Sequence, residues 1–238
     1  MNLMFTSYDD FDRLDVFTRI SGYLINETPT RIGVGREPPL GSAVDIAPLR
    51  VLSADGKLVP FIPGSSIKGV LRSLAESILR AQEINVHDPW DMKQMELEAK
   101  DGRFCIICGT FGSIKLASHV HVYDVYPVGQ ASTFIKTGIG INRDFRGVQP
   151  GAFYTEEQVI PRVKWSLTID IINIRVFPES SDERGRILRN LLQLLKAGYV
   201  KVGARRTVGY GLLRLVEGRY EVFESREGFL LKTSEGEI

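Results

Sequence analysis

Two glycine-containing segments combine backbone freedom with cationic side chains. Residues 62–72 read Ile-Pro-Gly-Ser-Ser-Ile-Lys-Gly-Val-Leu-Arg, and residues 202–211 read Val-Gly-Ala-Arg-Arg-Thr-Val-Gly-Tyr-Gly. In the first segment, a Gly-Ser-Ser turn that opens a helix presents free backbone N–H groups, and Lys68 and Arg72 lie four residues apart on one helix face. In the second, two arginines supply forked donors and Tyr210 supplies a stacking face. Both segments are therefore typical of a site for a sugar-phosphate backbone.

Each segment also has a purely structural interpretation. The first can be a capped amphipathic helix with two solvated cations, and the second a tight connection between strands with exposed arginines. The spacing within either segment does not decide between the two interpretations.

The two cysteines of the chain, Cys105 and Cys108, form a C-x-x-C motif. This spacing suits two thiolate ligands of a tetrahedral zinc ion, and His87 can supply a third ligand from the far end of the same insertion. His119 or His121 would complete four ligands, or there is no fourth protein ligand. The alternatives are two small core thiols with a surface histidine, or a redox pair. Because the insertion is polar, we expect that it lacks a core of its own and needs the metal to fold.

The chain has 238 residues and the composition of an ordinary globular protein, with 43% hydrophobic and 25% charged residues. This composition excludes a disulfide-stapled miniprotein and a mostly disordered chain. The net charge is only +1, so a nucleic-acid site must arise from where the charges lie. No apolar run approaches the about 20 residues of a membrane span, and the N-terminus lacks a signal-peptide pattern. We therefore expect a soluble, unexported protein in the reducing cytoplasm, with no membrane partner.

Alternating and helical hydrophobic patterns predict the elements that position these segments. Strands are predicted at 11–25, 119–124, 163–177 and 212–223, and helices from Ser65 or Ser66 to about Gln82 and from Asp182 to near Gly198. Their order is the β-α-β-β-α-β pattern of an α+β, ferredoxin-like (RRM-like) domain. This single domain would carry three insertions, at 26–62, 83–115 and 127–161.

Four sequence landmarks occur in a recognisable order. They are F-I-P-G-S-S-I-K-G-V-L-R-S, C-I-I-C-G-T-F-G-S, G-I-N-R-D-F-R-G and G-A-R-R-T-V-G-Y-G-L-L. Together they resemble the RAMP superfamily of CRISPR proteins. More narrowly, they resemble the backbone subunit of type III effector complexes, which are RNA-guided and target RNA. The resemblance covers roughly residues 12–223.

The resemblance implies that both glycine-containing segments grip the backbone of a guide RNA. It also implies that residues 138–161, within the third insertion, form a thumb-like hairpin with Asn142 and Arg143 at its start. This hairpin would wedge Phe153 between bases of the guide-target duplex. The second insertion resembles one that often holds a structural zinc. The implied RNA-binding residues are Ser65, Ser66, Lys68, Arg72, Asn142, Arg143, Arg205, Arg206, Gly209 and Tyr210.

Catalytic subunits of this family carry an aspartate, followed closely by proline, in the long loop after the first strand. The match is Asp45 in Ala-Val-Asp-Ile-Ala-Pro, where two residues rather than one separate aspartate from proline. Glu37 and Asp55 are the other candidate acids of the loop, and the structural alternative for Asp45 is a turn residue. With Mg²⁺ or Mn²⁺, Asp45 would place the ion or help to deprotonate the 2′-hydroxyl beside the scissile phosphate.

The main functional hypothesis is a guide-RNA-binding backbone subunit that also cleaves target RNA. Its partners would be guide RNA, target RNA, other subunits of a multi-protein CRISPR complex and further copies of itself in a filament. The alternative is a non-catalytic scaffold subunit of the same complex. An endonuclease that matures guide RNA by histidine catalysis is disfavoured, because no histidine precedes His87. A ferredoxin-like interaction module with no RNA role is the remaining alternative.

Overall fold

The computed structural model describes residues 8, 10–33, 44–179 and 181–238. Its strands are β1 (Val16–Asn26), β2 (Arg50–Leu52), β3 (Leu58–Pro60), β4 (Val120–Val122), β5 (Thr133–Ile141), β6 (Val148–Val159), β7 (Lys164–Ile172), β8 (Val200–Lys201), β9 (Leu212–Arg226) and β10 (Phe229–Glu237). Its helices are α1 (Gly64–Ala81), α2 (Met92–Asp101), α3 (Cys108–Phe111) and α4 (Glu183–Lys196), with a 3₁₀ turn at Arg206–Val208. No helix in these described ranges is long and apolar enough to cross a membrane.

One antiparallel sheet holds the main strands in the order β10-β9-β1-β7-β4, and β8 pairs with β9. Along the chain, its central strands and the two long helices follow one another as β1, α1, β4, β7, α4 and β9. The spatial order β9-β1-β7-β4 agrees with the predicted α+β, ferredoxin-like class. Strand β10 lies at the edge of the sheet and is an addition that the sequence patterns do not predict.

The hydrophobic core lies where α1 and α4 pack on the sheet. In α1, apolar side chains recur every four residues and are buried, which is the pattern that predicts this helix. Each fully buried leucine contributes about 1.5–3 kcal/mol, so this apolar stripe fixes the helix on the sheet. The buried apolar side chains of the two helices are Ile67, Leu71, Ala75, Leu79, Leu188, Leu191, Leu192 and Leu195.

A buried asparagine joins the end of β1 to the base of the β5–β6 hairpin. Asn26 Oδ1 accepts hydrogen bonds from Val163 N and from the indole N–H of Trp165, each at 3.0 Å. Its Nδ2 donates to Ile160 O at 2.8 Å. Because an unpaired buried amide is strongly unfavourable, these bonds hold the hairpin base against the sheet.

The start of α1 differs from the prediction, because neither of its two serines caps the helix. The helix begins at Gly64, and its N-cap residue makes no side-chain cap bond. Instead, the carboxylate of Asp124 accepts a hydrogen bond from Gly64 N at 2.8 Å. The helix start is therefore partly occupied by an anion, which the helix dipole favours. Helix α4 is capped as predicted, since Asp182 accepts from Arg184 N at 2.9 Å.

The insertion at 83–115 has no separate core, as expected, but it contributes apolar residues to the main core, which its polar sequence does not predict. Its residues Phe104, Ile107 and Phe111 are buried in the main hydrophobic cluster. The period-based patterns miss this because the buried residues lie in a turn and in the very short helix α3. Burial of apolar surface therefore supports this insertion whether or not a metal binds.

Two hairpins stand apart from the main sheet. The β2–β3 hairpin lies in the first insertion, and β5–β6 lies where the thumb-like hairpin is predicted. Asn142 and Arg143 lie at the turn between β5 and β6 rather than at the start of the hairpin, because β5 begins nine residues earlier, at Thr133. Glu37 lies outside the described residues.

Candidate nucleic-acid interface

An open groove of about 330 Å³ runs between the first turns of α1 and the glycine-rich loop at 202–211. The helix contributes small side chains and hydroxyl groups, and the loop contributes backbone and an exposed guanidinium. This lining lets a polymer backbone approach closely and offers donors to its phosphates. The lining residues are Ser65, Ser66, Gly69, Val70, Ser73, Val202, Gly203 and Arg206.

Two glycines allow the loop to pack closely against neighbouring backbone. Gly203 has a φ of +84°, and a Cβ there would lie 2.3 Å from the carbonyl oxygen of Arg31, which follows β1. Gly211 has a φ of +76°, and a Cβ there would lie 1.9 Å from Val202 O. Both positions therefore exclude a side chain on steric and on conformational grounds. The close approach sets the course of the loop along the groove.

The two arginines of the loop make different contacts. Arg205 Nε donates to Glu156 Oε2 at 2.8 Å, and the guanidinium lies 4.8 Å from the ring centroid of Tyr154 and bonds to its hydroxyl. The Glu156 side chain is only 1% exposed, so Arg205 ties the loop to strand β6. Arg206 is exposed and borders the groove. Within the described part of the chain the Arg206 side chain has no partner, which leaves its guanidinium available to a ligand.

Tyr210 also lies against the hairpin. Lys136 Nζ of β5 lies 4.8 Å from the centroid of the Tyr210 ring and bonds to its hydroxyl. A cation over one ring face leaves the opposite face for stacking with a base. Gly209 adopts a φ of +92° at the end of the 3₁₀ turn. The sequence patterns miss Lys136 and Glu156, because each is a charged residue at an ordinary position of a strand.

Lys68 projects from α1 toward the segment at 112–118 and is not among the residues that line the groove. It is half-buried, and Nζ donates to Ser118 Oγ at 2.7 Å. Burial, and after it the charge of Arg72, lowers the pKa of Lys68. An ammonium group has three donors, so Lys68 keeps donors for a ligand near the start of α1.

Arg72 is engaged within the protein. Its side chain is 17% exposed, and Nε donates to Glu76 Oε1 while Nη1 donates to Gly112 O, both at 2.8 Å. Nη2 lies 3.9 Å from Cys108 Sγ. The structure therefore places this guanidinium beside the C-x-x-C motif rather than in the groove, and RNA binding by Arg72 stays a prediction.

The β5–β6 hairpin carries an exposed apolar surface. Asn142 organises its turn by accepting from Asp144 N and donating to Gln149 Oε1, each at 2.8 Å, and Arg143 is exposed beside it. Apolar side chains gathered on a projecting hairpin suit contact with bases or with a partner. The exposed apolar side chains are Ile135, Ile139, Ile141, Phe145, Val148 and Phe153.

Asp45 is exposed beside strand β6. Its Oδ2 accepts hydrogen bonds from Thr155 N at 2.6 Å and from Thr155 Oγ1 at 3.1 Å. These bonds, first that from the backbone, lower the pKa of the Asp45 carboxyl. The group is therefore an anion at neutral pH and fits an oxygen ligand of Mg²⁺ or Mn²⁺.

Asp55, the other candidate acid that the structure describes in this insertion, belongs to the turn of the β2–β3 hairpin. It accepts from Ser53 Oγ and pairs with Lys57 Nζ at 3.0 Å. These are the contacts of a turn residue. They favour the structural interpretation for Asp55.

A second constellation, the metal-ligand cluster, consists of His87, Glu98, Cys105 and Cys108. Their ligand atoms all lie within 4.8 Å of one another. His87 Nε2 lies 3.0 Å from Glu98 Oε2 and 3.4 Å from Cys108 Sγ. Tetrahedral zinc, with bonds of about 2.0–2.3 Å, holds its ligand atoms about 3.3–3.8 Å apart. The separations of 3.0 Å and 3.4 Å lie near this range and none exceeds 4.8 Å, so modest side-chain movement would bring two thiolates, an imidazole and a carboxylate around such an ion.

Glu98 is the member of the cluster that sequence reasoning misses. It is almost fully buried, and Oε1 accepts from Cys105 N at 3.1 Å. A carboxylate in the polar helix α2 has no characteristic spacing from a C-x-x-C motif, so no pattern marks it. The two histidines predicted as fourth ligands lie outside the cluster. His119 bonds to two backbone carbonyl groups and His121 to another.

The thiols of the cluster influence each other. The hydrogen bond with Cys108 lowers the pKa of Cys105 to about 6, and the same bond, followed by burial, raises the pKa of Cys108. For His87, burial acts to lower the pKa, but the bond to Asp88 O and the negative charges of Cys105 and Glu98 outweigh it and raise the pKa. A thiolate is thus favoured at one cysteine, which is the form that a metal binds.

A polar cavity of about 250 Å³ opens onto the metal-ligand cluster. It gives an ion a route from solvent to the ligand atoms. Its acidic and amide lining attracts a cation. The lining residues are Asn85, His87, Asp88, Asp91, Gln94, Glu98 and Cys105.

The fold and the groove define an α+β protein with a ferredoxin-like strand order and features that suit a nucleic-acid backbone. The RAMP superfamily model matches residues 24–214. This match spans more than half of the chain, and the protein belongs to the RAMP superfamily. All four sequence landmarks fall within the matched residues, and the predicted family is confirmed. The comparison with curated proteins gives no match.

Family membership makes the protein a CRISPR-associated RNA-binding protein. RAMP proteins generally bind CRISPR RNA and act in multi-subunit complexes. The type III role, RNA cleavage and zinc binding stay predictions.

Proposed function

We propose that the protein is a guide-RNA-binding backbone subunit of a type III CRISPR RNA-targeting complex. The observation that carries this proposal is that the glycine-rich loop borders the groove at α1 and is joined to the β5–β6 hairpin by the Arg205–Glu156 pair. An RNA backbone lying in the groove would bring its bases to the hairpin. The partners would be guide RNA, target RNA, other subunits of the complex and further copies of this chain.

In this function the protein holds the guide by its phosphates, and Watson–Crick pairing reads the target. Arg206 supplies a charged donor from the loop, and Lys68 supplies a second near the start of α1. The hydroxyl groups of Ser65 and Ser66 supply neutral donors along the groove. Phosphate contacts of this kind carry affinity without reading sequence.

The hairpin supplies the contact with bases. Phe145 and Phe153 are exposed on it, and an aromatic side chain inserted at a base step interrupts stacking. Asn142 and Arg143, at the hairpin turn, would contact the RNA backbone on the far side of that step.

We further propose that the Asp45 loop cleaves the target RNA. The 2′-oxygen attacks the adjacent phosphorus, and the P–O5′ bond breaks as the 2′-O–P bond forms. The hydroxyl proton passes to solvent water, and the leaving 5′-oxygen takes up a proton from water. Because its pKa is lowered, Asp45 is a weak base and a stable anion, which favours holding Mg²⁺ or Mn²⁺ over taking the proton. Such an ion supplies positive charge to the phosphate.

The second candidate function is a scaffold subunit of the same complex that does not cut. A guide-RNA-processing endonuclease is disfavoured by where the three histidines lie. His87 belongs to the metal-ligand cluster, His119 is fully buried and His121 bonds to a backbone carbonyl. All three lie within the described residues, and none lines the groove.

We also propose that the metal-ligand cluster holds a structural zinc ion. His87, Cys105 and Cys108 are the ligands predicted from the sequence, and Glu98 takes the fourth place, which the sequence leaves to His119, to His121 or to no protein ligand. A bound ion would link α2 to the C-x-x-C segment. The mutual distances of the four ligand atoms support this assignment.

The cleavage proposal is tested with the complex assembled on a guide RNA and supplied with Mg²⁺ or Mn²⁺. We expect Asp45→Asn to reduce cleavage of complementary RNA by at least about 100-fold. Guide-RNA affinity should be retained, because Asp45 does not line the groove. Asp55→Asn is the matched control and should cut at the native rate. If the native complex never cuts, the cleavage proposal is wrong and the non-catalytic scaffold function is favoured. If Asp45→Asn cuts at the native rate, the catalytic assignment of Asp45 is wrong.

A further inference from the structure

We infer that Thr155 of the hairpin is a positioning residue for the carboxylate of Asp45, so that the hairpin and the cleavage loop act as one unit. This inference rests on the proposed cleavage by Asp45 and adds the residue that sets where its carboxylate points. The two residues are 110 positions apart in the chain, and no spacing pattern connects them.

The contact between the two residues is reciprocal. Asp45 N donates to Thr155 Oγ1 at 3.2 Å, and that hydroxyl donates to Asp45 Oδ2 at 3.1 Å. Thr155 N adds a bond of 2.6 Å to the same carboxylate oxygen. In the described part of the chain, no other residue donates a hydrogen bond to this carboxylate. A hydroxyl fills both roles because it carries one donor and two acceptor lone pairs, whereas valine, which has the same shape, fills neither.

The backbone next to Asp45 extends this contact along β6. Ile46 N donates to Thr155 O at 3.2 Å, and Glu157 N donates to Ile46 O at 2.9 Å. Ile46 thereby forms a parallel bridge with Glu156. Because main-chain bonds fix the course of the loop, loss of the Thr155 hydroxyl would alter the direction of the Asp45 carboxylate more than the path of the chain.

The neighbours of Thr155 in β6 connect it to the RNA groove. Glu156 pairs with Arg205 of the glycine-rich loop at 2.8 Å, and Glu157 pairs with Arg50 of β2. Both ion pairs are partly or fully shielded from solvent and are therefore screened little by salt. Through the Glu156–Arg205 pair, Thr155 and its partner Asp45 are thus linked to the loop that borders the groove.

The geometry leaves one carboxylate oxygen for the reaction. Both bonds from Thr155 converge on Oδ2, which would leave Oδ1 of Asp45 for a cation or an RNA hydroxyl. Anchoring Oδ2 also removes rotamer freedom from a side chain that is otherwise exposed. A displacement of about 1 Å of a group at the reacting centre reduces rates by about 100-fold.

The test is single-turnover cleavage by the complex assembled on guide RNA. Thr155→Val removes the hydroxyl and keeps the shape, and Thr155→Ser keeps the hydroxyl. Thr137→Val is the matched control, because Thr137 is the register partner of Thr155 on β5. We expect Thr155→Val to slow cleavage by about 10- to 100-fold, and Thr155→Ser and Thr137→Val to stay within about threefold of native. Guide-RNA affinity should stay within about twofold in all three variants, since none of the changes lies in the groove.

Rescue by the conservative variant separates positioning from a merely structural role. Thr155→Ser keeps the hydroxyl that bonds to Asp45 Oδ2 at 3.1 Å, and Thr155→Val loses it. Cleavage should therefore fall in Thr155→Val and stay near native in Thr155→Ser, with similar unfolding temperatures in the two variants. An equal loss of cleavage in both variants would overturn the inference.

Three further outcomes distinguish failure of the inference from failure of the proposed function. If Asp45→Asn is inactive while Thr155→Val cuts as fast as Thr137→Val, the positioning role is wrong and the catalytic role of Asp45 stands. If Thr155→Val loses guide-RNA affinity together with cleavage, the residue is structural and the inference is wrong. If the native complex never cuts, the cleavage proposal and the inference fail together.

Discussion

The two sides of helix α1 use their residues in opposite ways. One side borders the groove with small side chains, such as those of Ser65, Gly69 and Ser73. The other side carries Lys68 and Arg72, whose long side chains reach into the protein. The difference shows that a cationic side chain in such a motif can stabilise the fold, while the small residues beside it leave space for a ligand.

Removing the proposed zinc ion should have the largest effect on stability, and only on the side of α1 that faces the cysteines. We expect protein purified without added zinc to carry about one equivalent, and Cys108→Ala to lose the ion and at least about 3 kcal/mol of unfolding free energy, because metal binding supplies folding free energy. Metal analysis and thermal unfolding measure both. Chelation should destabilise the native protein and leave the variant unchanged. Less than about a tenth of an equivalent in native protein would contradict the zinc proposal.

Replacing Arg72, on one side of α1, and Arg206, in the loop that faces the other side across the groove, tests the comparison directly. Arg72→Gln should reduce the unfolding free energy by about 1–3 kcal/mol, because the shielded Glu76 loses its close cation. It should change guide-RNA affinity by at most about threefold. Arg206→Gln should instead leave the unfolding free energy within about 0.5 kcal/mol of native. Its guide-RNA affinity should fall by about tenfold, and the slope of log affinity against log salt should be smaller by about one. Unfolding scans and binding titrations at two salt concentrations measure these values. An equal loss of affinity in both variants would place Arg72 at the RNA and break the comparison.

Lys68 lies on the same side of α1 as Arg72, bonded to Ser118, and its replacement should give the smallest effect. Burial lowers its pKa, so the unfolded chain binds its proton more tightly than the folded protein does. Stability should then rise with pH from the folded pKa of Lys68 up to about 10.4, and this contribution is lost as pH falls. Lys68→Met should lack this alkaline rise and lose several-fold guide-RNA affinity, about as expected for one phosphate contact. Denaturation curves from neutral to alkaline pH measure the first effect, and parallel curves for the two proteins would contradict it.

The sequence predicts the elements whose signal is local. Helix α1 follows from the recurrence of Ile67 and Leu71 at helical spacing, and α4 from its leucines and its cap at Asp182. The central strands follow from alternation, and the family follows from four landmarks in order. For each helix and strand the information lies within one turn or one strand of the residue concerned.

The features that sequence reasoning misses depend on contacts between distant segments. Spacing places Lys68 and Arg72 on one helix face, but only the packing of the 105–118 segment decides that this face is not the one that borders the groove. Likewise, Glu98 becomes a candidate ligand only because α2 folds back onto the C-x-x-C motif. Arg205 meets its partner on a hairpin 49 positions earlier in the chain. No repeating pattern in the sequence predicts these contacts.

The carboxylate of Asp124 at the start of α1 has a consequence for selectivity. A bare helix start is a strong site for a single phosphate, but here the first N–H already bonds to an anion, which repels another. A free nucleotide therefore finds no concentrated charge to anchor it. In the proposed function, a strand would be held instead by many modest contacts along the groove, each made easier by the one before it. Such a groove would favour polymer length over monomer concentration, and we expect abundant cellular nucleotides to compete poorly with an RNA chain.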